Sequence, residues 1–265
     1  MTRYRLIKTD SAELTDLKQM YLSQSAAPLD GMWESFVTQA DHYSIQSRDK
    51  IIGYSVINSE QKLLQFFVIG AHHKGRIFSQ VLAEKNVTGA FVNTAESQFL
   101  SLCMDHHKSV VINALMYHVE KDTLIKEAVF PPETDFRIID EDELPTAFEF
   151  GIRTLGVDPD WLKGYFTNLI KREELFGLWQ DDCLIATGEC RVSDSQKPFA
   201  DVGMIVSKSH RKQGLATNIL RALIHLCHQD GLRPICSTEA GNIAAQKAIA
   251  KAGFISHHRI LEIIF

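Results

Sequence analysis

The sequence predicts an α/β protein made of two tandem halves of one design. One element order can be read twice along its 265 residues: strand, helix, helix, three strands, helix, strand, helix, strand. Between the two readings falls Pro131-Pro132, a pair that suits neither a helix interior nor a central strand. Apolar residues make up 45% of the chain, enough for sizeable cores. The predicted division is a first domain over 1–125, a linker over 126–135 and a second domain over 136–265.

The elements follow from pattern. Tyr4 to Lys8 reads as a short strand, with Ser11 as candidate N-cap for a helix carrying Leu14, Leu17, Met20 and Tyr21. Pro28 interrupts, and Met32, Trp33, Phe36 and Val37 mark a second helix. Three strands follow over Tyr43–Ser47, Ile51–Ile57 and Leu63–Ile69, with Arg48-Asp49 and Ser59-Glu60 as hairpin turns. A helix stripe (Ile77, Phe78, Val81, Leu82), a strand at Ala90–Val92, a helix (Phe99, Leu100, Cys103, Met104) and a strand over Val110–Val119 close the half. The second half opens with a strand at Phe136–Ile139. Asp140 caps a helix with Pro145 near its first turn, and Trp161 to Ile170 forms the next helix. Leu175–Trp179, Cys183–Val192 and Ala200–Val206 are strands, and helix pattern resumes near Gly214. Gly231 is the expected C-cap, followed by a strand at Pro234–Ser237 and an alanine-rich helix over Asn242–Ala252. Gly253 ends that helix, and Phe254–Phe265 is the closing strand of the second domain.

Composition narrows function. A formal net charge of -5 argues against a nucleic-acid partner held by charge. No apolar run approaches membrane-span length and no signal peptide is evident, so no membrane partner is expected. Five cysteines without paired spacing read as reduced thiols, which points to a cytoplasmic protein.

The chemistry concentrates in Ile205-Val206-Ser207-Lys208-Ser209-His210-Arg211-Lys212-Gln213-Gly214-Leu215-Ala216. A strand feeds a helix through a loop rich in cations. Unpaired N–H groups of a first helical turn, with the helix dipole, attract an anion. Gly214 lets the backbone approach a ligand, Arg211 and Lys212 add charge, and the small Ala216 leaves room over the first turn. This is not a Walker loop, since Gly214 is followed by Leu215-Ala216, nor a dinucleotide fingerprint, since two of its glycines are missing. What remains is Arg/Gln-x-x-Gly-x-Gly/Ala, which resembles the acyl-CoA loop of the GNAT superfamily of N-acetyltransferases. Asn242-Ile243-Ala244-Ala245, leading to Gly253-Phe254 eleven residues after Asn242, resembles that family's following helix.

The resemblance covers the whole second half and implies two tandem GNAT-like domains. Each is then a central mixed, mostly antiparallel sheet (an α+β arrangement) flanked by helices. It implies that acetyl-CoA, the acyl donor, lies between two splayed strands of the second domain. The main chain of Ile205 and Val206 would meet the pantetheine arm. Arg211, Lys212, Gln213, Gly214, Leu215, Ala216 and Thr217 would surround the pyrophosphate, with Asn242 and the alanine face around Ala245 opposite. In the first half, His72-His73-Lys74-Gly75-Arg76-Ile77 falls at the loop position. His72 replaces the Arg/Gln and Ile77 the small residue, so this copy is expected to keep the fold and not the cofactor site.

The implied reaction is transfer of acetyl from acetyl-CoA to a primary amine. An amine with a pKa of about 10.4 needs a base. Asp201 is the first candidate, with Glu189 and Glu239 beside it, and the N–H of Val206 is the expected oxyanion donor. The family's Tyr, seven residues after the Asn, is Ile249 in this chain. That departure keeps an alternative open, a catalytically weak CoA-binding pseudoenzyme acting as a sensor or interaction module. No metal site is expected. The pairs His72-His73, His106-His107 and His257-His258 are adjacent in sequence and point apart on a strand, and His225 and His228 with Cys227 have no partner motif. Trp33, Trp161 and Trp179 read as packing residues. Expected partners are acetyl-CoA and an amine acceptor, and a homodimer is compatible with the sequence.

Overall fold

A computed structural model describes residues 4–70 and 72–265. The chain divides into two compact units, one of residues 1–116 with 257–265 and the other of residues 117–256. No helix among the described residues is long and apolar enough to cross a membrane.

The first unit opens with β1 (Arg5–Lys8), a single 3-10 turn (Ser11–Leu14), α1 (Thr15–Gln24) and α2 (Gly31–Gln39). The cap of the turn is Asp10, whose carboxylate accepts from the Ala12 N–H, and not Ser11 as the sequence pattern suggested. An Asp accepts such a bond as well as a Ser and sits one residue earlier. β2 (Asp41–Ser47), β3 (Lys50–Ile57) and β4 (Lys62–Val68) form an antiparallel meander beside β1. Arg48 and Asp49 both adopt positive φ, as a two-residue turn between right-twisted strands requires. Then come α3 (Lys74–Glu84), β5 (Gly89–Asn93), α4 (Ser97–Met104) and β6 (Ser109–His118).

In the second unit the order repeats: β7 (Thr134–Ile138), α5 (Leu144–Leu155), α6 (Pro159–Lys171), β8 (Leu175–Gln180), β9 (Cys183–Val192), β10 (Phe199–Val206), α7 (Leu215–Gln229), β11 (Arg233–Glu239) and α8 (Ile243–Ala252), after which β12 (Ile255–Ile264) follows in the chain. Strands β7 to β10 run antiparallel in sequence order, and β11 joins β10 parallel. Both units therefore hold mixed, mostly antiparallel sheets with helices on their faces.

The closing strand departs from the expectation that it completes the second domain. Ile260 to Ile264 of β12 pair antiparallel with Asn93 to Gly89 of β5, and Ile263 is fully buried in the first unit's core. A strand buries its apolar face wherever a free partner edge lies, and β5 supplies one. The segment read as a linker is likewise docked: within the second unit Phe130 stacks on Phe136 at 5.2 Å.

Two clusters fill the first unit. One gathers Phe66, Ile77, Phe78 and Phe99, the other Tyr21, Trp33, Tyr54 and Phe67. Into the second reaches a buried carboxyl, Glu96, which accepts from the Tyr21 hydroxyl and, at 2.6 Å, from the Asn93 N–H. Burial raises its pKa to about 8. The folded protein thus holds this proton at pH values where the unfolded chain, with an ordinary carboxyl, has lost it. Stability contributed in acid is lost as pH rises toward the folded value. Glu96→Gln should flatten the fall in urea midpoint between about pH 5 and about pH 8; an unchanged pH dependence would show that Glu96 stays ionised in the fold.

Candidate functional site

The site begins with a strand pair that ends early. β10 and β11 pair only over Phe199–Arg233, Ala200–Pro234 and Asp201–Ile235. Beyond Asp201, β10 continues for five residues and stays paired with β9 up to Val206–Ala186. A gap therefore opens between β10 and β11. Alternation fixes which backbone groups face it. Ser207 donates its N–H to the Ile185 carbonyl at 3.0 Å, so Ser207, Ile205 and Gly203 aim their amides at β9. Met204 and Val206 aim theirs into the gap. Of the two residues the sequence assigned to the arm, Val206 faces the gap and Ile205 spends its backbone on β9. Met204, not among the site residues read from the sequence, is the other residue whose amide faces the gap, which only strand register reveals.

The loop follows. Lys208–His210 form a single 3-10 turn, tied by the His210 ring to Ser207 Oγ at 2.7 Å. Lys212 and Gly214 both adopt positive φ, 65° and 83°. Gly214 is the N-cap of α7, and no side chain caps the helix, so its first N–H groups are offered outward. A Cβ on Gly214 would meet nothing nearer than Asn218 at 3.9 Å, so φ, not crowding, demands glycine there. Arg211, Lys212 and Gln213 are exposed, and Arg211 Nε donates to the Val206 carbonyl at 3.2 Å. Leu215 is buried, whereas Ala216 and Thr217 are half-buried. Thr217 Oγ1 donates to the Ala248 carbonyl at 3.3 Å, fastening α7 to α8. Asn242 accepts from the Ala245 N–H at 3.2 Å, which makes it the cap of α8. Ile249 is buried, so α8 presents no hydroxyl at that position.

The three candidate carboxylates have different surroundings. Asp201 lies in an ion pair with Arg191 at 2.8 Å, both side chains largely buried. Glu239 is exposed at the end of β11. Glu189, on β9, crosses β10 at Gly203: a Cβ there would lie 2.5 Å from the Glu189 Oε1 atom. The absent side chain leaves room for the carboxylate just past the point where β10 and β11 part. Tyr165 of α6 donates its hydroxyl to Glu189 Oε2 at 2.7 Å. Burial lifts the Glu189 pKa, opposed by Arg191 and by the Tyr165 hydrogen bond. Burial and the adjacent Glu189 charge hold the Tyr165 hydroxyl well above the ordinary phenol range, so it remains a donor. Trp161 stacks on Tyr165 at 5.0 Å and is 36% exposed, so unlike Trp33 and Trp179 it is not a core residue. A lone glycine inside a strand pattern was the one sequence signal for this close approach. Cys236 is buried, and the described residues hold no cluster of metal-ligating side chains.

The first unit repeats the splay but not the opening. β4 and β5 pair only at Lys62–Gly89 and Leu63–Ala90, yet Gln65, Phe66, Phe67, Val68, Val92 and Asn93 are all buried. Its loop differs in shape as well. Aligned on helix starts, His73 takes the place of Gly214, and Gly75 lies inside the first turn of α3. Ile77 is fully buried in the core, so it does not crowd a ligand as its sequence position suggested. What departs is the loop itself, whose helix begins without a left-handed residue at the cap.

Both units are matched by known proteins. A model described as an acetyltransferase (GNAT) domain matches residues 10–120, and one described as the acetyltransferase (GNAT) family matches residues 136–254. A solved acetyltransferase of the GNAT family from Colwellia psychrerythraea is 36% identical, covers 99% of each chain and superposes with a TM-score of 0.91. A GCN5-related N-acetyltransferase from Sphaerobacter thermophilus shares the fold at 13% identity, over 98% of this chain and 94% of that one, with a TM-score of 0.72. A tandem GNAT protein from the clavulanic acid biosynthesis pathway does so at 14% identity, over 98% of each chain, with a TM-score of 0.68. Among curated proteins the chain has no sequence match. Two domain matches in series and a full-length relative lead to one conclusion: the chain belongs to the GNAT acetyltransferase family and carries two GNAT domains in tandem.

Proposed function

We propose that the second unit, and it alone, binds acetyl-CoA and passes the acetyl group directly to a primary amine. The observation that carries this reading is the unpaired stretch of β10 ending beside the uncapped N-terminus of α7. The pyrophosphate sits on the N–H groups after Gly214, with Arg211 and Lys212 adding charge. The pantetheine arm lies along Met204 and Val206 as an added strand would. The five free thiols fit a reducing cytoplasm.

The amine attacks the thioester carbonyl carbon, the oxyanion forms against the Val206 N–H, and collapse breaks the C–S bond. Glu189, directly or through a water, takes the proton that the amine loses. Asp201 is the less available of the two, because its carboxylate is held in the ion pair with Arg191. A thiol pKa of about 8.5 makes the CoA thiolate a tolerable leaving group without an acid at Ile249. Holding amine and thioester together supplies much of the acceleration, so no acetyl-enzyme is needed. The buried Ile249 favours a second reading, a CoA-binding protein with little turnover.

Calorimetry should find one acetyl-CoA per chain, and Gly214→Val should abolish binding because a β-branched residue resists positive φ; two equivalent sites would assign the first unit a role it is denied above. With an amine panel, Glu189→Gln should lower the rate roughly 10²–10⁴-fold at neutral pH, with partial recovery in alkali where the free amine needs no base. Absence of turnover with every amine, alongside tight acetyl-CoA binding, would select the second reading. Tyr165→Phe removes a hydrogen bond to ionised Glu189, so the Glu189 pKa rises and the acid limb of the pH–rate profile should move to higher pH. An unmoved limb would shift the base to Asp201 or Glu239.

A further inference from the structure

Continuous with the loop, through Gly214 and Thr217, is a cleft of about 400 Å³ whose far end, at Arg221, Lys251 and Lys126, the proposed reaction does not use. Its floor is one stripe of α7, Gly214, Thr217, Asn218 and Arg221, at the spacing that places residues on one helix face. Its walls bring two further cations, Lys251 from the end of α8 and Lys126 from the segment before β7, and no carboxylate lines it. No ion pair among the described residues engages these three. Arg221 is anchored by neutral acceptors, donating to the Lys251 carbonyl at 3.0 Å and to Asn218 Oδ1 at 3.3 Å. Its Nε is buried with no partner. A guanidinium held in place and left unneutralised is suited to a doubly charged oxyanion.

The wall carrying Lys126 is seated by features of its own. Ile125 Cδ1 lies 2.6 Å from where a Cβ on Gly253 would stand, and the Thr123 methyl lies 3.7 Å from that point. Gly253 has φ 116°, so it both turns the chain out of α8 and makes a socket for Ile125. The Lys126 carbonyl meets His225 Nε2 at 3.4 Å, which fixes the other side. The segment joining the two GNAT domains is therefore part of the cleft, and its cation is delivered by that docking.

We infer that this cleft is a phosphate-monoester site, built in part by the inter-domain segment, that reads the terminal phosphate of the nucleotide whose pyrophosphate lies at Gly214. The inference rests on the proposed acetyl-CoA site and adds a selectivity to it. The stripe from Gly214 to Arg221 rises about 10 Å, and an arginine on a helix leans back toward the N-terminus. The guanidinium is thereby brought toward the helix start. On CoA the group it meets is the 3′-phosphate on the ribose.

The test compares CoA with dephospho-CoA by calorimetry on the full chain, with adenosine 3′,5′-bisphosphate and inorganic phosphate as separate arms. The parent should bind CoA at least tenfold more tightly than dephospho-CoA, and the preference should shrink as salt rises. Arg221→Ala with Lys251→Ala should bring the ratio close to one while dephospho-CoA binds as in the parent. Lys126→Ala and Gly253→Ala should each lower the ratio, the second by unseating Ile125. Unchanged circular dichroism and dephospho-CoA affinity in each variant exclude misfolding as the cause. Equal binding of both nucleotides by the parent, or a ratio that survives the double substitution, would overturn the inference and leave the proposed function standing. Binding of inorganic phosphate as tight as that of the bisphosphate would overturn the nucleotide assignment. Failure of both CoA forms to bind would instead remove the proposed function beneath it.

Discussion

The second unit depends on one interrupted pairing. Were β10 and β11 to continue their ladder past Asp201, the amides of Met204 and Val206 would be satisfied within the sheet. Leaving them unpaired costs stability that the rest of the unit must supply. β10 is held firmly on its other side by a full antiparallel ladder with β9. α7 is packed beneath through Ile219 and Leu223, which close over Gly188. The opening is thus a defect in hydrogen bonding inside a scaffold rigid enough to keep it. Glu189 obeys the same geometry, since its carboxylate occupies the space that a side chain on Gly203 would take.

The two units differ in what fills the sheet past the point where its parallel strands part. Each has a short parallel pairing followed by divergence. In the first unit, aromatic rings and a buried carboxyl occupy the positions past the divergence, and Tyr21 and Glu96 satisfy one another within it. In the second, the equivalent stretch of β10 stays half-buried. Apolar filling stabilises a sheet and closes it to ligands; polar vacancy does the reverse.

Much of this was legible in the residues. Hydrophobic periodicity located the strands and helices of both halves, and the loop from Arg211 to Ala216 marked the start of the uncapped helix α7, because that signal is local. The failures share a cause. Which strand residue aims its amide into the opening depends on register, and register is invisible until a partner is known, so Ile205 was named and Met204 was not. The claim of Arg191 on Asp201 depends on two strands lying side by side. The departure of the first loop from the second was read from His72 and the bulk of Ile77, whereas in the structure the two loops differ in where the helix begins. The part of Lys126 could not be read from a stretch marked only by its prolines.

The closing strand has a consequence for the order of assembly. Residues 257–265, which hold most of β12, follow the whole of the second unit in the chain yet belong to the first and contribute to its core. During synthesis the first unit therefore waits, with one edge of β5 bare, until the second has been made. Long sequence separation between partners slows folding, and an unpaired edge invites association with other chains. Phe66, Phe78 and Phe99 of that core are made early, whereas Ile263, buried in the same cluster, is among the last residues made. Its sheet closes last, although its sequence comes first.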